Sequence, residues 1–502
     1  MINFQGIKRI VILGGGTAGW YAALALKKIF SPNVEIRVIE SEKIGIVGVG
    51  EGGLLNFISA LRFVDIDPDE FKQATNATFK WGFSYEGWRT GKADDVFYHP
   101  FGSASGVAAK WHENGHYPLF SLMINQGIQL DSYIRGMHYI KNNVTQEEAH
   151  NAILSDSTDI INSFHFDSYK TAKYLKNKAL ERGVTHQDVV IESVIRDQEG
   201  TVTHLITDTK ESIALDFIID ASGLARKIIS TSKEADWESF TDYLILDRAI
   251  PFYMPHPKKN PMLVSRAIAM SSGWMWQIPL QDRVGAGYVY SSRHLSDEAA
   301  VAEVKNYLGF DVEIQKNIKF ESGCYKRVWI KNMLTIGLAS GFVEPLEATS
   351  ISQMVEEVRN FTRVIAFSQG IVSSKTIAEF NEANLRSWHG IRDFLRMHYD
   401  VPRRDTAFWR DAAQAKYPDT YFSFKEIVSL RAPRLLDIEN YAINGWYGIF
   451  HIINWTFVAA ALGLIPPQAV VNDLLAIPDD KKARLEKFLE WIDKKKTINK
   501  II

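Results

Sequence analysis

A glycine-rich turn close to the N-terminus constrains the fold of this chain more than any other feature. A β-branched run, Lys8 to Leu13, leads into Gly14-Gly15-Gly16-Thr17-Ala18-Gly19, and an Ala/Leu-rich segment continues to Phe30. This order predicts a strand, a tight turn and a helix. Gly14 would take the turn's unusual dihedral angles, Gly16 would leave room for a ligand, and Gly19 would let the helix pack on the strand. Free amides at the helix start, at Thr17 and Ala18, would then hold a pyrophosphate.

The residues that follow this helix complete a βαβ unit. Val34 to Ile39 is a second apolar strand, and it ends in Glu40. An acidic residue at this position is placed to accept hydrogen bonds from a ribose. The sequence therefore predicts dinucleotide binding, and a glycine turn without a ligand is the alternative.

Later glycine elements favour FAD over NAD. A strand from Leu215 to Ile219 ends in Asp220-Ala221-Ser222-Gly223, a second nucleotide contact typical of glutathione-reductase-type flavoproteins. The glycine cluster that contains Gly50 and the strand and turn that contain Gly337 are expected at the same cofactor. A chain that used NAD(P)H itself would often carry a second full unit of strand, GxGxxG turn and helix, and we recognise no such unit in this sequence.

Composition narrows the choice of partners. With 57 Lys and Arg against 59 Asp and Glu, the net charge of -2 gives no electrostatic footprint for nucleic acid or for an anionic membrane. We expect a small-molecule partner. The single cysteine, Cys324, cannot form an internal disulfide, and no signal peptide is recognisable, so we expect a cytoplasmic protein. The sequence specifies no oligomeric state.

The coarse organisation is that of an α/β protein. We predict a glutathione-reductase-type FAD-binding βαβ domain with an interleaved antiparallel sheet at about residues 236–320, the whole module covering residues 1–375. Residues 376–502 are expected to form a helical, aromatic-rich region that covers the substrate. Within it, residues 442–471 lack Asp, Glu, Lys and Arg, but their polar residues and prolines favour a buried helix beside an aromatic pocket over a membrane span.

Taken in order, these elements resemble the flavin-dependent halogenases, the family typified by tryptophan halogenases. The resemblance covers nearly the full chain. Its most specific marker is Trp274-x-Trp276-x-Ile278-Pro279, which in that family separates halogenases from flavin monooxygenases. Lys80 matches the family's essential lysine, whereas the residues alone would favour a surface lysine among aromatics. Glu347 matches the family's glutamate.

The resemblance implies a reaction and a set of roles. Reduced FAD from a separate flavin reductase, oxygen and a halide (chloride, bromide or iodide) would give hypohalous acid, which Lys80 holds and an electron-rich aromatic substrate receives. Glu347 would polarise this oxidant or take the proton that the ring loses. The remaining roles fall on three pairs of residues: backbone amides for the halide at Thr349 and Ser350, walls of the substrate pocket at His99 and Phe101, and a barrier between flavin and substrate at Trp274 and Trp276. A flavin-dependent aromatic hydroxylase is the alternative function, and a non-enzymatic flavin-binding protein is a more distant one.

Two departures from the family pattern bear on the substrate. Tryptophan halogenases place Ser-Thr-Gly after the glutamate, whereas this chain has Ala348-Thr349-Ser350. Residues 439–448 do not reproduce the Tyr-Tyr and glutamate set that grips free tryptophan. We therefore expect an indole-like or phenol-like substrate, with bromide or iodide as suitable halides.

Overall fold

A computed structural model describes residues 1–45, 48, 50–102, 117–446 and 448–498 of the chain. Ile46, Val47 and Val49 of the second glycine cluster, and Tyr447 in the segment compared with the tryptophan-gripping set, lie outside the described residues.

Strands are short and spread over most of the chain. In chain order, those within the described residues are β1 (Ile2–Asn3), β2 (Arg9–Leu13), β3 (Glu35–Glu40), β4 (Glu51–Gly52), β5 (Thr78–Lys80), β6 (Gly82–Glu86), β7 (Val96–Pro100), β8 (Ser163–Phe166), β9 (Thr185–Asp188), β10 (Ile191–Arg196), β11 (Val202–Thr207), β12 (Ser212–Ala214), β13 (Phe217–Asp220), β14 (Trp237–Ser239), β15 (Arg248–Met254), β16 (Ser265–Ala269), β17 (Gly273–Pro279), β18 (Val284–Tyr290), β19 (Ile318–Lys319), β20 (Gly323–Tyr325), β21 (Trp329–Ile330), β22 (Met333–Thr335), β23 (Gly341–Phe342) and β24 (Ile371–Val372).

Helices dominate the C-terminal part of the chain. Those within the described residues are α1 (Thr17–Ile29), α2 (Phe57–Phe63), α3 (Pro68–Ala74), α4 (Tyr117–Asn125), α5 (Gly136–Asn142), α6 (Gln146–Leu154), α7 (Ser168–Glu181), α8 (Asp297–Leu308), α9 (Thr349–Phe367), α10 (Ser374–His398), α11 (Ala407–Gln414), α12 (Asp419–Leu430), α13 (Ile452–Ala461), α14 (Pro467–Leu475) and α15 (Asp479–Ile498).

The predicted α/β fold is confirmed by a six-stranded sheet with the order β21-β22-β13-β2-β3-β9. The strands from β22 to β9 run parallel, and β21 is antiparallel to β22. The central strand β2 is apolar and buried from Ile10 to Leu13, as a strand covered on both faces must be. The glycine turn therefore lies at the carboxyl edge of the sheet, where α/β proteins bind nucleotides.

The interleaved sheet is larger than the sequence predicted. It has seven strands in the order β19-β15-β18-β17-β16-β6-β7, and only the β16/β6 pair is parallel. The predicted range of about 236–320 contains the first five of these strands. The strands β6 and β7 come from much earlier in the chain, and they bring the surroundings of Lys80 to the edge of this sheet.

The C-terminal region is helical, as predicted, and much of its aromatic content is core. Trp388, Trp409, Trp446 and Trp455 are buried, whereas Trp491 is half exposed. The buried helix α13 lies within the uncharged segment 442–471. The division at residue 375 stays a prediction.

No helix in the described part of the chain is long and apolar enough to cross a membrane.

The glycine turn has the backbone that its sequence predicts. Gly14 has a φ of +123°, and a Cβ there would lie 2.2 Å from the Ala221 carbonyl oxygen. A Cβ on Gly19 would lie 1.9 Å from the Gly14 carbonyl oxygen, which explains the close approach of α1 to the turn. By contrast, a Cβ on Gly16 would meet no atom within 4 Å. Gly16 precedes α1 without a side-chain cap, so the amides at the helix start remain available to a ligand.

These contacts predict opposite stability effects for two alanine substitutions in one turn. Gly14→Ala should lower the free energy of unfolding by about 2 kcal/mol or more, because it combines a steric clash with an unfavourable φ. Gly16→Ala should leave the protein without flavin as stable as the wild type. Urea denaturation of both variants measures the difference, and equal stability of the two would contradict this account of the turn.

Candidate active site

Three of the predicted cofactor elements lie against the glycine turn, namely Glu40 at the end of β3, the segment after β13 at Ala221, and Gly337, whereas Gly50 lies against β17. A Cβ on Gly337, which has a φ of +62°, would lie 3.2 Å from the Ala18 Cβ, so the turn after β22 lies against the start of α1. A Cβ on Gly50 would lie 3.6 Å from the Ile278 side chain of β17. The open space at Gly16 and the uncapped helix start fit the pyrophosphate of FAD.

Glu40 lies at the end of β3, as predicted, and already has cationic or basic neighbours. Its Oε1 atom lies 2.6 Å from Lys176 Nζ and 2.9 Å from His186 Nε2. A Cβ on Gly15 would overlap Glu40 Oε2, so this carboxylate lies directly on the glycine turn. That Glu40 accepts hydrogen bonds from a ribose stays a prediction.

Asp220 organises the loop that follows β13. Its Oδ1 atom accepts hydrogen bonds from the Ser222 amide at 3.1 Å and the Ser222 hydroxyl at 2.6 Å. Its Oδ2 atom accepts from the amides of Ile228 at 2.8 Å and Ile229 at 2.9 Å. Both oxygens of this buried carboxylate are thus occupied by its own loop, and a contribution of Asp220 to cofactor binding would pass through that loop.

Lys80 is not a surface lysine but a fully buried one. Its Nζ lies 4.0 Å from the Phe83 ring centroid and 5.4 Å from that of Phe101. A Cβ on Gly52 would come within 2.7 Å of this nitrogen, so a larger residue there would displace the amine. No described residue forms a hydrogen bond with Nζ. Burial lowers the pKa of Lys80 to about 7, and the carboxylate of Glu347 opposes this shift.

Glu347 is a buried carboxylate with one oxygen surrounded by donors. The Tyr85 hydroxyl donates to Oε1, His99 Nδ1 lies 2.8 Å away, and His398 Nε2 lies 3.3 Å away. Burial alone would raise the pKa of Glu347, but the two imidazoles outweigh it and hold this pKa well below its usual range. No side chain in the described ranges forms a hydrogen bond with Oε2. The residue therefore presents an ionised carboxylate with one free oxygen.

An open cavity lies beside Glu347 and its neighbour His99. His99, Phe101 and Glu347 line it together with apolar and amide side chains, among them Leu54, Phe450 and Asn454. Phe101 borders the cavity and also lies against the Lys80 amine. The structure thus brings together four residues that the sequence analysis assigned separately to catalysis and to the substrate pocket: Lys80, Glu347, His99 and Phe101.

The paired tryptophans Trp274 and Trp276 lie two positions apart on β17 and therefore share one face of the strand. Trp274 is buried and Trp276 is partly exposed, with their ring centroids 6.4 Å apart. Ile278, on the same face of the strand, is the residue that approaches Gly50. A Cβ on Gly287 would lie 2.2 Å from the Trp276 ring, so the neighbouring strand leaves space for this indole. Their role as a barrier stays a prediction.

The predicted halide residues begin helix α9. Glu347 and Ala348, which precede it, both have positive φ values of 61° and 51°. Ala348 provides no side-chain cap for the helix, and the Thr349 hydroxyl is buried without a hydrogen-bond partner among the described residues. Amides at an uncapped helix start suit an anion, and halide binding at Thr349 and Ser350 stays a prediction.

Three residues of the site were not predicted from the sequence: Tyr85, His398 and Asn454. Tyr85 had a signal, because it lies two positions after Phe83 on β6 and therefore shares a face with it. His398 ends helix α10 and Asn454 lies in the first turn of α13, more than 300 residues after Tyr85. No local pattern distinguishes these two residues from structural ones.

Comparison with known proteins gives consistent matches over the whole chain. A family model described as tryptophan halogenase matches residues 9–476. An uncharacterised protein of Sinorhizobium fredii is 37% identical over 501 residues, 100% of this chain and 98% of that protein. The tryptophan 6-halogenase SttH of Streptomyces toxytricini is 30% identical, over 97% of this chain and 94% of that protein. The solved structure of a flavin-dependent halogenase from Xanthomonas campestris is similar with a TM-score of 0.82 at 30% identity, over 97% of this chain and 94% of that chain.

The buried amine predicts a pH-dependent cost in stability. Folding lowers the pKa of Lys80 from its ordinary 10.5 to about 7. Below about pH 7 the amine is charged in the folded protein, and the full cost of burying that charge lowers the free energy of unfolding. The cost disappears as the pH approaches the unfolded value. Lys80→Met should therefore be more stable than the wild type near neutrality. The difference in free energy of unfolding between Lys80→Met and the wild type should decrease by about 1.4 kcal/mol per pH unit between about pH 7.5 and about pH 9.5.

Urea denaturation of both proteins across this range measures the gap. Lys375, whose side chain is 85% exposed, supplies the matched control, and Lys375→Met should give a gap that does not change with pH. A gap for Lys80→Met that is independent of pH would show that the amine is not held in the way described.

Proposed function

Because this chain belongs to the flavin-dependent tryptophan halogenase family, we propose that it converts halide, oxygen and reduced FAD into hypohalous acid and passes this oxidant to an electron-rich aromatic substrate. The observation that carries the proposal is the pair formed by Lys80 and Glu347. Among the described residues, the buried amine of Lys80 has no hydrogen-bond partner and lies 5.4 Å from the ring centroid of Phe101, and Phe101 lines the same cavity as the ionised carboxylate of Glu347, which has one free oxygen. Both are costly to fold, which favours a chemical role over a structural one.

The residues at the glycine turn would hold the cofactor. The amides that follow Gly16 would take the pyrophosphate, and Gly337 and Gly50 would lie against the bound molecule. The chemistry that reduced FAD supplies when bound is the two-electron oxidation, by oxygen, of halide to hypohalous acid. Residues 48–53 also match the GxGxxG spacing, but Glu51 and Gly52 lie in β4, which pairs antiparallel with β8, and not in a turn between a parallel strand and a helix. We therefore propose that a separate reductase supplies the reduced flavin.

Lys80 would hold the oxidant. An uncharged amine has a lone pair that can accept a hydrogen bond from hypohalous acid, or react with it to give a haloamine and water. A protonated amine cannot react in this way. A pKa of about 7 means that a substantial fraction of Lys80 is uncharged at neutral pH. The aromatic surroundings of the amine also exclude water, which would otherwise carry the oxidant away.

Glu347 would act on the ring. Attack of an aromatic carbon on the halogen forms a carbon–halogen bond and leaves a positively charged ring, which then loses a proton. An ionised carboxylate next to the ring stabilises that charge and accepts the proton. The overall change is an aromatic C–H and hypohalous acid becoming an aryl halide and water. Because the donors occupy Oε1, we assign the proton transfer to Oε2.

The walls of the cavity favour a flat, apolar substrate. Phe101, Phe450 and Leu54 provide aromatic and aliphatic surfaces, and His99 offers a further flat ring. We propose an indole-like or phenol-like substrate, since the segment around residue 444 does not reproduce the set that grips free tryptophan. Bromide and iodide are proposed besides chloride, because Ser350 stands where the family has glycine.

The proposal predicts different products for the wild type and for Lys80→Ala. Wild-type protein incubated with indole, reduced FAD, oxygen and bromide should give a brominated product by mass spectrometry. Lys80→Ala should still consume reduced flavin, because it changes neither the glycine turn nor the helix start at Thr349. Its bromination rate should fall by more than ~10³-fold, the scale for a group that acts mainly in the transition state.

A second lysine provides the control for this experiment. Lys72 is partly buried and its Nζ lies 3.9 Å from the Phe79 ring centroid, so Lys72→Ala removes another lysine beside an aromatic ring. It should brominate at the wild-type rate. A gain of oxygen instead of bromine in the wild type would establish the flavin hydroxylase, and no change of mass would indicate flavin binding alone. Full bromination by a folded Lys80→Ala would refute the role of Lys80.

A further inference from the structure

A chain of three hydrogen bonds runs from the backbone of α13 to the carboxylate of Glu347. It begins at the amide of His451, which lies 2.9 Å from Asn454 Oδ1. A backbone N–H can only donate, so the atom of Asn454 that faces it must be the amide oxygen. This contact fixes which way round the Asn454 side chain lies.

The second hydrogen bond follows from this orientation. The Asn454 Nδ2 atom lies 3.0 Å from Nε2 of His99. An amide NH₂ group can only donate, so Nε2 of His99 has to accept and therefore carries no proton. A neutral imidazole without a proton on Nε2 has its proton on Nδ1. His99 Nδ1 lies 2.8 Å from Glu347 Oε1, which accepts this proton's hydrogen bond.

We propose that Asn454 is a positioning residue that holds His99 as the neutral tautomer protonated on Nδ1, so that the imidazole donates to Glu347 without carrying a charge. This inference rests on the proposed function for its consequence in catalysis, but the tautomer itself follows from the geometry alone. Asn454 borders the cavity beside His99 and Glu347. It acts on the carboxylate only through the imidazole.

The second imidazole at Glu347 shows what Asn454 adds. His398 Nδ1 lies 2.8 Å from the carbonyl oxygen of Phe394, so its proton on Nδ1 is directed to the backbone. Its Nε2 atom lies 3.3 Å from Glu347 Oε1, and no donor within the described part of the chain fixes the state of that nitrogen. The two histidines therefore approach the same oxygen through different nitrogens, and only His99 has its tautomer fixed by an amide.

The charge of His99 matters because the substrate ring becomes positive during halogenation. An imidazolium at His99 would form a direct ion pair with Glu347 and reduce the negative potential that the ring experiences at Oε2. A neutral donor stabilises the ionised carboxylate and leaves most of that potential in place. Asn454 thus leaves Glu347 with the hydrogen bonds from His99 Nδ1 and from the Tyr85 hydroxyl but without an ion pair to His99.

The test compares the wild type with Asn454→Asp by 15N NMR of histidine-labelled protein near neutral pH, with His99→Gln identifying the signals of this residue. In the wild type, His99 should show a protonated Nδ1 and an unprotonated Nε2. In Asn454→Asp the carboxylate requires a donor, so both nitrogens should be protonated. Asn472→Asp, which places the same charge on the exposed Asn472 of α14, should leave the His99 signals unchanged.

The kinetic consequence separates positioning from simple packing. Asn454→Asp should lower kcat for bromination on the order of tenfold, by partial loss of electrostatic stabilisation of the ring cation, with KM nearly unchanged. A change in KM alone would indicate a packing role and overturn the inference.

The wild-type spectrum decides the tautomer even if Asn454→Asp does not fold. A proton on Nε2 of His99 in the wild type would overturn the proposal. The NMR result requires no turnover, so a protein that does not halogenate would refute the proposed function and still report on the tautomer.

Discussion

The buried negative charge of Glu347 requires contacts from parts of the chain that are remote in sequence. A carboxylate removed from water is stable only when donors replace its hydration. Hydrogen-bond donors come from β6 through Tyr85 and from β7 through His99, and the end of α10 places the imidazole of His398 3.3 Å from the same oxygen. Asn454 adds α13 to this set. The seven-stranded sheet and two C-terminal helices must therefore all be in place before Glu347 can be ionised in the interior.

The amine of Lys80 is buried as well, but its surroundings favour the uncharged form. Burial acts on both charges, but Glu347 accepts hydrogen bonds, whereas the surroundings of Lys80 within the described ranges are aromatic faces and the charge of Glu347. The result is one group that remains anionic and another that readily loses its proton near neutrality. Such divergent shifts suit the roles proposed for the two groups, an electrostatic or basic role for Glu347 and a nucleophilic or accepting role for Lys80.

Local patterns in the sequence predicted the glycine turn and its flanking strand and helix better than the surroundings of Lys80 and Glu347. The turn at Gly14 depends on neighbouring residues, so its strand, φ angle and helix follow from a few positions. Lys80 could be assigned only through the family resemblance, because the residues alone favoured the surface and burial results from the pairing of β5 and β6 with distant strands. Asn454 acquires its role through a contact with His99 that spans 355 residues, and His398 through a contact with Glu347 in another element of the chain, and no periodicity or motif indicates either contact.

The central claim is that the oxidant travels from flavin to substrate inside the protein, held by Lys80, and competition with a scavenger tests it most directly. A large, anionic thioether that cannot enter the cavity is added in excess during bromination of indole, and the thioether must capture free hypohalous acid completely in a control without enzyme. The account predicts that the yield of bromoindole is unchanged by the scavenger. A yield that falls in proportion to the scavenger concentration would show that the oxidant leaves the protein and would contradict the account.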